Sequence, residues 1–225
     1  MATKTHLPIA TREIVVPAGH RRLPGTLSLP EGARGVVAFA HGSGSGRFSP
    51  RNQFVAGVIQ QGGVATLLFD LLEEEEADNR RNVFDINLLA SRLRCAADWL
   101  RGDPETREMS LGYFGASTGA AAALVADARY PTKVGAIVSR GGRPDLAGDE
   151  LGAVKAPTLL IVGGDDDVVI QLNEQALRRL HCTKELVVIP GATHLFPEPG
   201  ALEEVARLAR DWFARHLVPL PASER

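Results

Sequence analysis

From residue 36 onward, short apolar runs that stop at glycine alternate with segments of helical spacing, and this alternation restricts the possible folds more than any other feature of the chain. The runs cover 36–40, 64–69, 109–114, 134–139, 158–162 and 185–189. The helical patterns between and after them cover 51–61, 85–100, 118–128, 171–180 and 201–217. Most of the runs show no polar alternation, as parallel strands covered on both faces should. Strand–helix alternation of this kind demands a mostly parallel central sheet flanked by helices, with ligands at the carboxyl ends of the strands. Upstream, 13–16 and 25–29 read as two further strands joined by a turn around Gly19 and His20. Residues 73–82 are charged and aperiodic and read as a solvated loop, including the run Glu73 to Glu76. The tail, 219–225, is expected to fray.

With 225 residues, 44% of them hydrophobic and 23% charged, the chain can bury the core of one domain, expected over 1–225 with its core at about 12–217. The net charge of −2 is spread without a basic stripe, which argues against nucleic acid as a partner. No apolar stretch approaches the roughly 20 residues of a membrane helix, and residues 1–19 lack a signal-peptide pattern. The expectation is a cytoplasmic protein with no membrane partner. Cys95 and Cys182 then read as free thiols, and no Cys/His cluster has metal-ligand spacing. An oligomer is possible but not readable from these residues.

The chemistry concentrates at the ends of the runs. Gly115-Ala116-Ser117-Thr118-Gly119 follows a strand and opens a helix, the setting in which G-x-S-x-G places a nucleophile on a sharp, strained turn. Small residues two positions either side let strand and helix approach, and the helix N-terminus favours negative charge nearby. Ser117 needs a base. His194, in Gly191-Ala192-Thr193-His194-Leu195-Phe196, follows the last strand and so lies at the same sheet edge. His6, His20, His181 and His216 sit on other elements. The base needs an orienting acid, and Asp165, Asp166 and Asp167 follow the strand at 158–162. Asp166 is the favoured choice, with the other two as solvated or helix-capping charges. The loop His41-Gly42-Ser43-Gly44-Ser45 can supply one oxyanion donor, the Ser43 amide, and Thr118 the other. His41 and Asp70 read as braces for that loop.

These motifs, in this order, resemble the α/β-hydrolase superfamily, and within it the small dienelactone-hydrolase-like enzymes. The resemblance runs over roughly residues 12–217 and rests on the HGSGS loop, GASTG, GGDDD and GATHLF. It implies an α/β-hydrolase fold and a Ser117–His194–Asp166 triad, the acid being the residue after Gly-Gly-x. Dienelactone hydrolases proper carry a cysteine nucleophile where this chain has Ser117, which points to ordinary ester hydrolysis. Related domains also occur fused to a phosphoribosyltransferase, and no such module is evident here.

The expected reaction is acyl transfer through an acyl-enzyme on Ser117, with no metal or organic cofactor. Only 140–156 separates two strands where many relatives carry a lid, too short for a helical cap. An open cleft favours small soluble esters or lactones. Arg140 and Arg143 flank Gly141-Gly142 at the carboxyl edge; either could bind a substrate carboxylate, or brace the loop by an ion pair with Asp145 or the acidic run. Leu71, Leu72 and Phe196 read as apolar walls, or as core. Three rival functions share these residues: a thioesterase, amidase or acyltransferase with the same triad; a non-catalytic binding protein on the same fold; and a role in assembly.

Overall fold

A computed structural model describes residues 8–217; the tail expected to fray lies outside them. Eight strands form one sheet: β1 (Ile9–Ala18), β2 (Arg21–Pro30), β3 (Gly35–Ala40), β4 (Ala65–Phe69), β5 (Ser110–Ala116), β6 (Val134–Arg140), β7 (Thr158–Gly163) and β8 (Lys184–Ile189). Their spatial order is β1-β2-β4-β3-β5-β6-β7-β8. β1 and β2 pair antiparallel around Gly19 at φ 65°, and β2 pairs antiparallel with β4. All other pairings are parallel.

β3, β5 and β7 are buried along their whole length. Their unalternating apolar composition follows from cover on both faces. On one face, α1 (Pro50–Gln61) and α7 (Ala201–His216) pack over Phe39, Phe114, Val138 and Ile161. On the other, α4 (Ile86–Gly102), α5 (Thr118–Arg129) and α6 (Asp167–Arg179) pack over Leu67, Tyr113, Ile137 and Leu160. Residues alternate between these two clusters along each strand, as the pleat requires. Ser49 caps α1, accepting from the Asn52 amide at 3.4 Å with Pro50 at the first helical position. Asp85 caps α4 through the Leu88 amide at 2.9 Å. This is the expected α/β-hydrolase arrangement, with a mixed, mostly parallel sheet and no distinct cap domain.

Two element assignments need correction, the loop at 73–82 and the start of α6. Residues 73–82 are largely exposed, as expected, but they are not a loop. They form two single-turn helices, α2 (Glu74–Ala77) and α3 (Arg80–Val83), anchored by ion pairs. Glu73 meets Arg21 at 2.6 Å and Glu76 meets Arg92 at 2.7 Å, and Arg92 is itself buried and donates to the Ala18 carbonyl. The partners lie far away in sequence, so the charge run looked unpaired when read locally. Residues 140–156 contain a 3-10 segment, Pro144–Ala153, kinked at Gly148. It packs against α5 and α6. α6 also begins earlier than its apolar spacing suggests, at Asp167.

Candidate active site

Ser117 sits between β5 and α5 with φ 51° and ψ −119°, a conformation that costs a non-glycine residue free energy. The flanking glycines explain how the turn closes. A Cβ on Gly115 would lie 2.4 Å from the Ala120 Cα, and one on Gly119 would lie 2.1 Å from the Ala40 carbonyl oxygen. Only hydrogen fits at either position, so α5, the Ser117 turn and β3 press together.

The loop after β3 lies against this turn. The Cβ position of Gly42 is 3.1 Å from the Ser117 Cβ. The loop's shape is held from behind. The Leu71 amide donates to His41 Nε2 at 3.0 Å, which leaves the proton on Nδ1 to donate to the Gly42 carbonyl at 3.0 Å. Burial pushes the His41 pKa down, consistent with a neutral imidazole that donates on one side and accepts on the other. Asp70 accepts from the Arg47 amide at 2.8 Å and pairs with its guanidinium at 3.3 Å. His41 and Asp70 therefore brace the loop. The Ser43 amide donates to no described group, and the Thr118 amide stands at the first position of α5, where helix geometry provides no partner.

His194 and Asp166 come from two loops drawn together at the ends of β7 and β8. A Cβ on Gly163 would lie 2.3 Å from the Ala192 carbonyl oxygen, and the Asp165 amide donates to that same oxygen at 2.9 Å. His194 Nδ1 then donates to Asp166 Oδ2 at 2.7 Å. Asp166 stands at the N-cap position of α6, yet its side chain caps nothing because it is turned to the histidine. Asp165 and Asp167 are exposed. Phe196, at φ 55°, bends the chain just after His194, closed by its amide to the Thr193 carbonyl at 3.1 Å.

A cavity of about 160 Å³ opens beside the Ser117 turn. His41 to Ser45 and Thr118 form one side, and Leu72, Ala77, Val83 and Leu89 the other. Of the two leucines that read as wall or core, Leu71 is fully buried in the core and Leu72 lines the cavity. The strand has ended at Phe69, so alternation no longer says which of the two faces inward. Phe196 is likewise core, 1% exposed, with its ring edge against Gly141. The wall from α2 and α3 was not legible, because the acidic run hid Ala77 and Val83 among charges.

The two arginines part company. Arg143 makes two bonds to Asp145, at 2.9 and 2.7 Å, which is the loop-bracing alternative. Arg140 makes no such pair: it is buried, and its Nη1 has no partner. Sequence reasoning also missed Asn173 of α6, which is fully buried and donates to the Gly142 and Val169 carbonyls at 3.0 and 2.8 Å. It holds the loop beneath His194. A lone asparagine on the apolar face of a helix was the available signal. Among the described residues no cluster of three or more His, Cys, Asp or Glu could hold a metal ion. Nor is any helix long and apolar enough to cross a membrane.

Residues 64–217 match the dienelactone hydrolase family. A putative phosphoribosyl transferase of Mycobacterium tuberculosis is 59% identical over 210 residues, which are 93% of this chain and 47% of that protein. The chain thus spans about half the length of the curated relatives it matches at this identity. The crystal structure of a dienelactone hydrolase from Anabaena variabilis shares 57% identity and superimposes with a TM-score of 0.90, covering 93% of this chain and 99% of that one. An esterase of Pyrococcus furiosus, 15% identical with a TM-score of 0.76 over 93% of this chain and 92% of its own, shares the fold. The matched residues and the similarity to the Anabaena structure together establish that the chain belongs to the dienelactone hydrolase family of α/β-hydrolases.

Proposed function

We propose that the chain is a serine hydrolase that cleaves small carboxylic esters or lactones through an acyl-enzyme on Ser117. The observation that carries this reading is the strained Ser117 turn at the same sheet edge as a histidine already oriented by a carboxylate, His194 to Asp166 at 2.7 Å.

His194 takes the Ser117 proton as the oxygen attacks the substrate carbonyl. With Nδ1–H directed to Asp166, the lone pair on Nε2 is the one free to accept it, and the Asp166 carboxylate stabilises the imidazolium that forms. The oxyanion of the tetrahedral intermediate is met by the Ser43 and Thr118 amides, neither of which has another described acceptor. His194 then protonates the leaving alkoxide. Water, activated by the same imidazole, hydrolyses the acyl-enzyme and restores Ser117.

The cavity supports the substrate size. A space of about 160 Å³ with a largely apolar far wall suits a short acyl chain. The Anabaena relative's name, dienelactone hydrolase, agrees with a lactone or ester substrate.

The test is hydrolysis of p-nitrophenyl acetate and butyrate by the wild type and by Ser117→Ala, with fluorophosphonate labelling of both proteins. Turnover and labelling should vanish together in the variant. A folded wild type that neither turns over nor labels would refute the reading and leave a non-catalytic binding protein.

A further inference from the structure

Ser117, Asp166 and His194 stand on three separate loops, and among the described hydrogen bonds none joins Ser117 to the other two. Their relative placement is set through the segment after β6, residues 140–143. That segment grips Ser117 from both sides. The Ser117 amide donates to the Arg140 carbonyl at 3.3 Å, and the Arg143 amide donates to the Ser117 carbonyl at 3.1 Å. Between these two bonds lie Gly141 and Gly142. Gly141, at φ 50°, runs against the base: a Cβ there would stand 2.9 Å from the His194 carbonyl oxygen and 3.5 Å from Cε1 of its ring. Gly142 is wedged on its other side, where a Cβ would meet Ser139 Oγ at 1.9 Å and the Ala120 Cβ at 2.6 Å. A shift of Gly142 therefore moves the Ser117 turn and the His194 loop together.

One side chain from a distant element holds this segment. Asn173 Nδ2 donates to the Gly142 carbonyl at 3.0 Å. Asn173 lies about two helical turns beyond Asp166, the N-cap of α6, so the two share a face of that helix. A single rigid helix thus carries both the acid that orients His194 and the amide that holds the loop between His194 and Ser117. The same Nδ2 donates to the Val169 carbonyl at 2.8 Å. Both partners are carbonyls, so the amide nitrogen must face them. The Oδ1 is then turned away, sealed from solvent without a donor, in a residue that is fully buried. A buried acceptor left unsatisfied lowers stability, and an apolar side chain of the same shape would avoid that cost. An amide kept against this local cost points to the site and not to the core.

We propose that Asn173 is a positioning residue for the hydrolysis, its bond to Gly142 fixing Ser117 and His194 relative to Asp166. The inference rests on the serine-hydrolase reading and deepens it. Neither Asn173 nor Gly142 is among the residues that line the cavity, so their bond acts on the reacting groups and not on the binding of the ester.

The experiment measures kcat and KM for p-nitrophenyl butyrate, together with Tm, in the wild type, Asn173→Leu, Asn173→Ser and Leu177→Ala. Leucine keeps the volume of the side chain. It exchanges one sealed acceptor, Oδ1, for another, the Gly142 carbonyl, so Tm should move little. Serine is too short to reach Gly142, but its hydroxyl can still bond the Val169 carbonyl one turn back. In both variants kcat should fall by about tenfold or more, with KM within about threefold of the wild type. Leu177→Ala removes a partly buried contact of α6 with the core and should lower Tm with kcat unchanged. Proton NMR of the ligand-free protein follows the His194 Nδ1–H in its bond to Asp166. That resonance should shift or broaden in both Asn173 variants and stay in place in Leu177→Ala. Wild-type kcat, or an unmoved His194 resonance, in either folded Asn173 variant overturns the proposal and makes Asn173 a structural residue, whatever its Tm. If Asn173→Leu does not fold, Asn173→Ser decides alone. A wild type that hydrolyses no ester, but whose His194 resonance moves when Asn173 is replaced, would keep the positioning role and refute the hydrolase. Ester turnover with no response to loss of Asn173 would do the reverse.

Discussion

Gly119→Ala adds one methyl group where the nucleophile turn meets β3, and its consequences can be worked from the contacts. The new Cβ would stand 2.1 Å from the Ala40 carbonyl oxygen, 2.6 Å from the Ala40 carbonyl carbon and 2.8 Å from the His41 carbonyl oxygen. All three are backbone atoms, so no side chain can swing aside. Restoring a carbon–oxygen contact of about 3.3 Å requires the turn and the oxyanion loop to separate by about 1 Å. Overpacking of this kind costs about 1–3 kcal/mol, offset by about 0.5–1 kcal/mol for replacing glycine in a helix. The net loss, about 1–2 kcal/mol, lowers Tm by only about 2–8 °C in a domain of this size. The catalytic loss is larger, because a displacement of about 1 Å between reacting groups costs on the order of 100-fold in rate. Gly57→Ala is the matched control: it lies inside α1 with open space around its Cβ position, and should gain about 0.5–1 kcal/mol with activity unchanged. The assay is ester turnover and thermal melting of both variants. A Gly119→Ala protein with wild-type kcat would refute the argument that this contact positions the site; a rate loss in Gly57→Ala would refute its locality.

Two further outcomes are expected. Asp166→Asn should lower kcat by roughly 10³–10⁴, the scale of a histidine held in the wrong tautomer, while Asp165→Asn and Asp167→Asn stay within about threefold; an equal loss at Asp165 would reassign the acid. Glu76→Gln removes the anion from a nearly buried pair with Arg92 and should cost about 1–3 kcal/mol, read by denaturant unfolding. The double change Glu76→Leu with Arg92→Met should cost less than Glu76→Gln alone. Simple additivity would show that the pair is not coupled.

What the sequence determined by itself was whatever depends on near neighbours along the chain. Unalternating apolar runs with glycine at their ends require strands covered on both sides, and the helical segments between them require a parallel sheet. The G-x-S-x-G turn is legible for the same reason at 115, where the clash that excludes a Cβ arises from a strand and a helix separated by one residue; the clash at 119 is with the end of β3 and belongs to the tertiary structure. Ser117, Asp166 and His194 read as one candidate site because each follows a strand at the same sheet edge, in the chain order of the α/β-hydrolases that the motifs resemble. Tertiary structure alone decided which charges find partners. Glu76 is held by Arg92, from a helix that begins ten residues later, and Glu73 by Arg21 from a hairpin fifty-two residues earlier, so a run that reads as solvated becomes a wall of the cavity. Arg140 and Arg143 read alike, at either side of two glycines. A strand's pleat and the helix above it bury one without an anion, while a turn brings Asp145 to the other. Burial and pairing are sums over contacts distant in sequence, and no local pattern contains them.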